Sequence, residues 1–140
     1  MALLENKVAF VSGGGSGIGR AVAEAYAREG AKVVVSDINV EHGEETVKVI
    51  KDSGGEAFFV KGDSSSASDN KHMVEVAVSK YGRLDIACNN AGMGGPAKPT
   101  GEYETDAWDR VIALNLSGVF YACRYQLEQM EKQGGGSIVN

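Results

Sequence analysis

The chain has 140 residues, 43% hydrophobic and 24% charged, enough for one soluble domain with a buried core. Fourteen Lys plus Arg against nineteen Asp plus Glu leave a formal net charge of -5, which offers no broad basic surface for a nucleic-acid backbone. Cys88 and Cys123 are spaced for neither a zinc site nor a disulfide scaffold, and no apolar run approaches the roughly 20 residues that span a bilayer. The expectation is a cytoplasmic protein without metal, nucleic-acid or membrane partners.

Lys7 to Ser12 is a short apolar run that ends abruptly in glycines, and Ile18, Ala21, Val22, Ala25 and Tyr26 then recur at helical spacing. This predicts strand, tight turn and helix. Gly30 stands where a left-handed residue closes a helix, and Ala31 to Ser36, with Val33, Val34 and Val35, predicts a second strand buried on both faces. Val40, Val47 and Ile50 mark a helix stopped by Gly54 and Gly55, Ala57 to Val60 a third strand, and Val74, Ala77 and Tyr81 another helix. Leu84 to Cys88 is a fourth strand; after a Gly/Pro-rich loop, Thr105 caps a long helix to about Gln133, and Ser137 to Val139 begins a fifth strand. Strictly alternating strands and helices require crossover connections. The expected fold is therefore α/β, a Rossmann-type doubly wound parallel sheet of order 3-2-1-4-5 in a single domain over 1–140.

Nineteen glycines are many for this length, and one cluster lies between the first strand and first helix: Ser12-Gly13-Gly14-Gly15-Ser16-Gly17-Ile18-Gly19. A helix N-terminus there favours an anion. Gly13 permits the tight turn, Gly17 lets a pyrophosphate approach the backbone, and Gly19 lets the helix pack near the sheet. The spacing is Gly-x-x-x-Gly-x-Gly, and Arg20-Ala21 stands where a P-loop requires Lys followed by Ser or Thr, which disfavours an NTPase. Asp37 ends the second strand 18 residues after Gly19, where a carboxylate can accept both adenosine ribose hydroxyls. Its charge repels a 2'-phosphate, and Gly14, Gly15, Ser16, Ile38 and Asn39 supply no cation. NAD is expected over NADP; the competing role for Asp37 is to shape the turn into the next helix.

The glycine turn together with Asn89-Asn90-Ala91-Gly92 at the end of the fourth strand closely resembles the short-chain dehydrogenase/reductase family. Gly62-Asp63-Ser64, Gly82-Arg83-Leu84-Asp85, Trp108 and Asn115-Leu116-Ser117-Gly118 agree with it. The resemblance implies cofactor contacts at Gly13, Ser16, Gly17, Ile18, Gly19 and Asp37, adenine and backbone contacts at Asp63 and Ser64, and a ribose and nicotinamide border at Asn90, Ala91 and Gly92. It implies hydride transfer between NAD(H) and an alcohol or carbonyl substrate; Met93 to Ala97 are, separately, a candidate wall of the substrate pocket. Asn115 interrupts an apolar stripe of Val111, Ile112, Leu114, Leu116 and Val119; by resemblance it is a catalytic residue, with a local helix break whose main chain holds a water of the proton relay. A homo-oligomer of the full-length protein is also implied, with Phe120, Leu127 and Met130 as interface as well as core.

The family's Ser after the fifth strand and its Tyr-x-x-x-Lys are not found: Gly30, Asp85, Ala107, Tyr125 and Gln129 stand four positions after the five tyrosines. The expectation is a domain truncated at the fifth strand, inactive alone and left with an open sheet edge that promotes association. The alternative is a non-catalytic NAD-binding module. A methyltransferase, which can share the glycine turn and the acidic residue, is disfavoured by Asn89 to Gly92.

Overall fold

The computed structural model describes residues 2–140. The strands are β1 (Val8–Ser12), β2 (Lys32–Asp37), β3 (Glu56–Lys61), β4 (Ile86–Asn89) and β5 (Ser137–Val139). All pair in parallel, in the order β3-β2-β1-β4-β5. This is the expected doubly wound sheet. Strand order reverses between β1 and β4, so the loops leaving these two strands diverge and open a crevice at their carboxyl ends.

The connecting helices are α1 (Gly17–Arg28), α2 (Val40–Asp52), α3 (Ala67–Tyr81), α4 (Thr105–Ile112) and α5 (Val119–Lys132). Side chains alternate across each strand, so the continuous valine run feeds two cores. Ala9, Val11, Val33 and Val35 meet Ala23 of α1 and Val47 and Ile50 of α2. On the other face, Phe10, Val34 and Val60 meet Met73, Val74 and Ala77 of α3 and Met130 of α5. Each fully buried aliphatic side chain contributes about 1.5–3 kcal/mol relative to exposure.

Several sequence expectations are corrected. Met130 is buried in the second core, so it is not free to form an interface, whereas Phe120 and Leu127 are exposed. In α1 the buried face centres on Gly19 and Ala23; Ile18 and Ala21 point away from the core. Thr105 is the first residue of α4 and makes no cap, the N-cap position being Glu104 without a side-chain bond. The single long helix is three pieces, because Ala113–Gly118 forms a π-helical segment between α4 and α5.

β4 begins at Ile86, two residues after the expected Leu84. Leu84 is fully buried but paired by a side chain: Gln133 Oε1 accepts its N–H at 3.1 Å, and Gln133 Nε2 donates to its carbonyl at 2.6 Å. An amide thus replaces a neighbouring strand. Beside it, Asp85 Oδ2 accepts the Val8 N–H at 2.9 Å, while Arg83 donates to both Asp85 oxygens.

Burial alone would raise the Asp85 carboxyl, but the Arg83 and Val8 hydrogen bonds and the Arg83 and Lys7 charges outweigh it and hold Asp85 below its ordinary value. A carboxylate depressed in the folded state adds stability that is complete above the unfolded value of about 3.9 and is lost as pH falls through the folded one. Asp85→Asn is expected to cost about 1–2 kcal/mol at neutral pH, with a smaller gap from wild type near about pH 3. Urea melts at both pH values check this; a gap independent of pH would show that the charge pair adds nothing.

Candidate functional site

At the carboxyl end of β1 the chain turns through Gly13, at φ +63°, and enters α1 through Gly17, at φ +53°. Both are left-handed conformations that favour glycine. Nothing stands within 4 Å of the place a Cβ on Gly17 would take, so the backbone there faces open space. A Cβ on Gly19 would overlap the Gly13 carbonyl oxygen, which explains why α1 can lie against the turn only with glycine at this position. Ser16, the N-cap residue, makes no side-chain cap, and the N–H groups of the first turn of α1 are the usual unpaired donors of a helix start.

The turn is braced from β2. Gly14 N–H donates to the Ser36 carbonyl at 2.9 Å, and Gly15 N–H donates to Asp37 Oδ2 at 2.9 Å. Asp37 Oδ1 accepts the Asn39 N–H, also at 2.9 Å. The turn-shaping role of Asp37 is therefore present. It does not exhaust the carboxylate, since each oxygen has used one of its two lone-pair directions.

Next along the sheet edge, Asp63 is exposed, and its Oδ1 accepts the N–H and hydroxyl of Ser65 at 2.8 and 2.6 Å. Its own N–H donates to Asp69 Oδ2 at 2.8 Å. The buried Asn70 donates to the Ser64 carbonyl at 2.9 Å and so fixes the Ser64 peptide. The first turn of α3 thus organises this stretch, with Ser66 as its N-cap.

From the far side of the crevice, Asn90 Nδ2 donates to the Ser12 and Gly13 carbonyls at 3.2 and 3.4 Å, and Ala91 N–H donates to Ser12 Oγ at 3.1 Å. Asn89 points the other way: its amide exchanges bonds of 3.0 and 2.7 Å with the buried Gln126 of α5 and donates to Asn140 at 2.9 Å. Asn115 lies in the π segment and is exposed. Its amide closes a ring with one main-chain unit, donating to the Met93 carbonyl at 2.8 Å and accepting the Met93 N–H at 3.0 Å. The stripe around it is not core, for Leu116 is 63% exposed and its companions are half-buried.

These segments border one cleft of about 450 Å³. Gly13, Ser16, Gly17, Ile18, Asp37, Asp63, Ser64, Asn90, Ala91 and Gly92 all line it, joined by Ile38, Gly62 and Leu114. Gly19 sits behind the wall and Asn115 beside it. No lysine or arginine lines the cleft, so an anion there would rest on backbone N–H groups and the α1 dipole. Among the described residues no group of three or more His, Cys, Asp or Glu could hold a metal, and no helix is long and apolar enough to cross a membrane. A larger cleft, about 560 Å³, lies at the opposite strand ends around Arg83 and Asp85, which pair with each other, and Gln133, which is bonded to the Leu84 main chain.

The family model for short chain dehydrogenases matches residues 7–140. The chain belongs to the short-chain dehydrogenase family. Within it, the chain is 46% identical over 136 residues to an uncharacterized oxidoreductase of Thermotoga maritima, covering 97% of this chain and 53% of that one. It is 44% identical over 135 residues to the cyclohexanol dehydrogenase of an Acinetobacter species, covering 96% and 54%. Among solved structures, NAD+-bound xylitol dehydrogenase superposes with a TM-score of 0.95 at 33% identity, over 99% of this chain and 53% of that one. The chain spans about half the length of the curated relatives it matches.

The cleft and the turns that frame it include residues outside the sequence motifs. Asn70 and Asp69 had a legible signal, because Ser66 followed three residues later by Asp69 is a helix-start pattern. Ile38 and Leu114 had none, since an apolar residue beside a strand end or within a helix reads equally well as packing. Cys88 and Cys123 are free thiols, and burial pushes the Cys88 thiol upward, away from the reactive thiolate.

Proposed function

We propose that residues 1–140 form one NAD-binding domain of an oxidoreductase that interconverts an alcohol and a carbonyl compound. The observation that carries this reading is the Asp37 carboxylate, turned to the glycine turn with lone pairs to spare in a cleft without a cation. Two ribose hydroxyls suit such an acceptor; a 2'-phosphate does not. The cyclohexanol and xylitol dehydrogenases support a hydroxyl-bearing substrate.

On this reading the first-turn N–H groups of α1, from Gly17 through Gly19, hold the pyrophosphate, with Ser16 and Gly13 shaping the approach. Asp63 and Ser64 hold the adenine. Asn90, Ala91 and Gly92 border the second ribose and the nicotinamide, and Ile18 covers that ring from the α1 side. The bound cofactor supplies a hydride acceptor or donor at the nicotinamide C4. Asn115 fixes Met93 and with it the loop that walls the substrate space; its main chain in the π segment is the chain's contribution to a proton relay. The exposed Trp108, Phe120 and Leu127 on the same helical stretch support assembly as a homo-oligomer.

Calorimetric titration of the purified chain tests the reading. NAD is expected to bind at one site and NADP at least about tenfold more weakly, one lost charge-compatible contact being worth that factor. Equal affinity would remove the role given to Asp37, and no binding of either nucleotide would remove the reading itself. With NAD and a panel of alcohols the chain alone is expected to give no NADH, because no tyrosine in it is followed four residues later by lysine. Turnover that persists after a second purification would overturn that expectation.

A further inference from the structure

A side chain that does not touch the cleft holds the part of it that the pyrophosphate would need. Thr46 lies in the second turn of α2 and is fully buried. A threonine hydroxyl inside a helix ordinarily bonds back to the carbonyl four residues earlier. Here that contact, to the His42 carbonyl, is the longer one at 3.2 Å, while the Gly14 carbonyl lies at 2.9 Å. The single hydroxyl proton is best placed on Gly14. Gly43, one turn earlier, lets α2 come this close: a Cβ there would overlap the Phe59 ring of β3.

Gly14 is thereby pinned on both sides, its N–H by Ser36 and its carbonyl by Thr46, and the Gly15 N–H, which shares a peptide with that carbonyl, is taken by Asp37. Only beyond these three bonds do the donors of Ser16 to Gly19 begin. We infer that Thr46 is a positioning residue for the cofactor, the hydroxyl through which α2 holds the glycine turn in its anion-binding shape. Without it the buried Gly14 carbonyl has no partner, the Gly14–Gly15 peptide is held only by the Gly15 N–H on Asp37, and the donors that follow are aimed less firmly.

The inference rests on the NAD reading above, and the ligands of the test separate the two. Thr46→Val keeps the shape and removes the hydroxyl; Thr46→Ser keeps the hydroxyl. Each is titrated with NAD and ADP by calorimetry and with adenosine by NMR. The expected result is that Thr46→Val binds NAD and ADP about tenfold more weakly, the worth of one hydrogen bond, with adenosine unchanged and Thr46→Ser close to wild type. Equal loss on adenosine would make Thr46 a general packing residue and overturn the inference, as would no loss at all. Should Thr46→Val not fold, Thr46→Cys, whose thiol is a weak donor, takes its place with the same required split between ADP and adenosine. A wild-type chain that binds none of the three overturns the NAD reading and this inference together; one that binds all three while the variants match it overturns only the inference.

Discussion

Gly19→Ala is expected to be the most damaging single methyl in the chain. Its Cβ would overlap the Gly13 carbonyl oxygen, which is backbone, and press on the Asn90 side-chain amide, which is tied to the Ser12 and Gly13 carbonyls. The Gly13 backbone is held by its left-handed conformation and by the bonds from Asn90, so relief must come from α1 backing away. Overpacking of this kind costs about 1–3 kcal/mol, which in a domain of this size lowers Tm by on the order of 5–10 °C. On the proposed reading affinity suffers more than stability does, because the helix that retreats carries the N–H groups given to the pyrophosphate. A loss of NAD affinity of about 100-fold or more is expected, the equivalent of two hydrogen bonds to a charged group. Scanning calorimetry and titration on the same preparation check both figures. Wild-type values for both would mean that α1 does not rest on the turn.

The second large effect belongs to Asp37→Arg. Removing the carboxylate deprives Gly15 and Asn39 of their acceptor and, on the proposed reading, the adenosine ribose of two more. Hydrogen bonds to a charged acceptor are worth about 1.5–3 kcal/mol each, so NAD binding should fall by about 100-fold. The guanidinium meanwhile introduces the only cation bordering the cleft and can pair with a 2'-phosphate through its planar fork. The variant is expected to bind NADP more tightly than NAD, reversing the wild-type order, with a modest loss of Tm from the unpaired Gly15 N–H. If selectivity does not move, Asp37 shapes the turn and does nothing more.

How much of this was legible before the fold was known depends on whether a feature is local. The β-branched runs, the glycine stops and the alternation of strand with helix follow from local propensity and periodicity, and the strand order follows from crossover handedness. Most residues that line the cleft were legible too, because a parallel sheet gathers strand ends at one edge; Ile38 and Leu114 were not. What escaped the sequence depends on distant partners. Leu84 reads as strand by composition, yet its pairing comes from Gln133, 49 residues away. Ala113 to Gly118 reads as ordinary helix by periodicity, and only the family resemblance implied a break at Asn115, where the π segment lies. Asn115 was singled out for interrupting an apolar stripe; the stripe is half-exposed, and the amide is spent on Met93. Thr46 went unnoticed because a hydroxyl on a helix reads as a solvent-facing residue, and only the packing of α2 against the turn buries it.

The bonds that Asn90 and Ala91 make to Ser12 and Gly13 act as a gauge across the crevice. They join the loop leaving β1 to the loop leaving β4 at their roots, so the two banks cannot drift apart or close up independently. A ligand that bridges them meets a gap of set width. On the proposed reading, length then becomes a criterion of selection in its own right: a ligand that contacts both banks has to match a spacing the protein has already set.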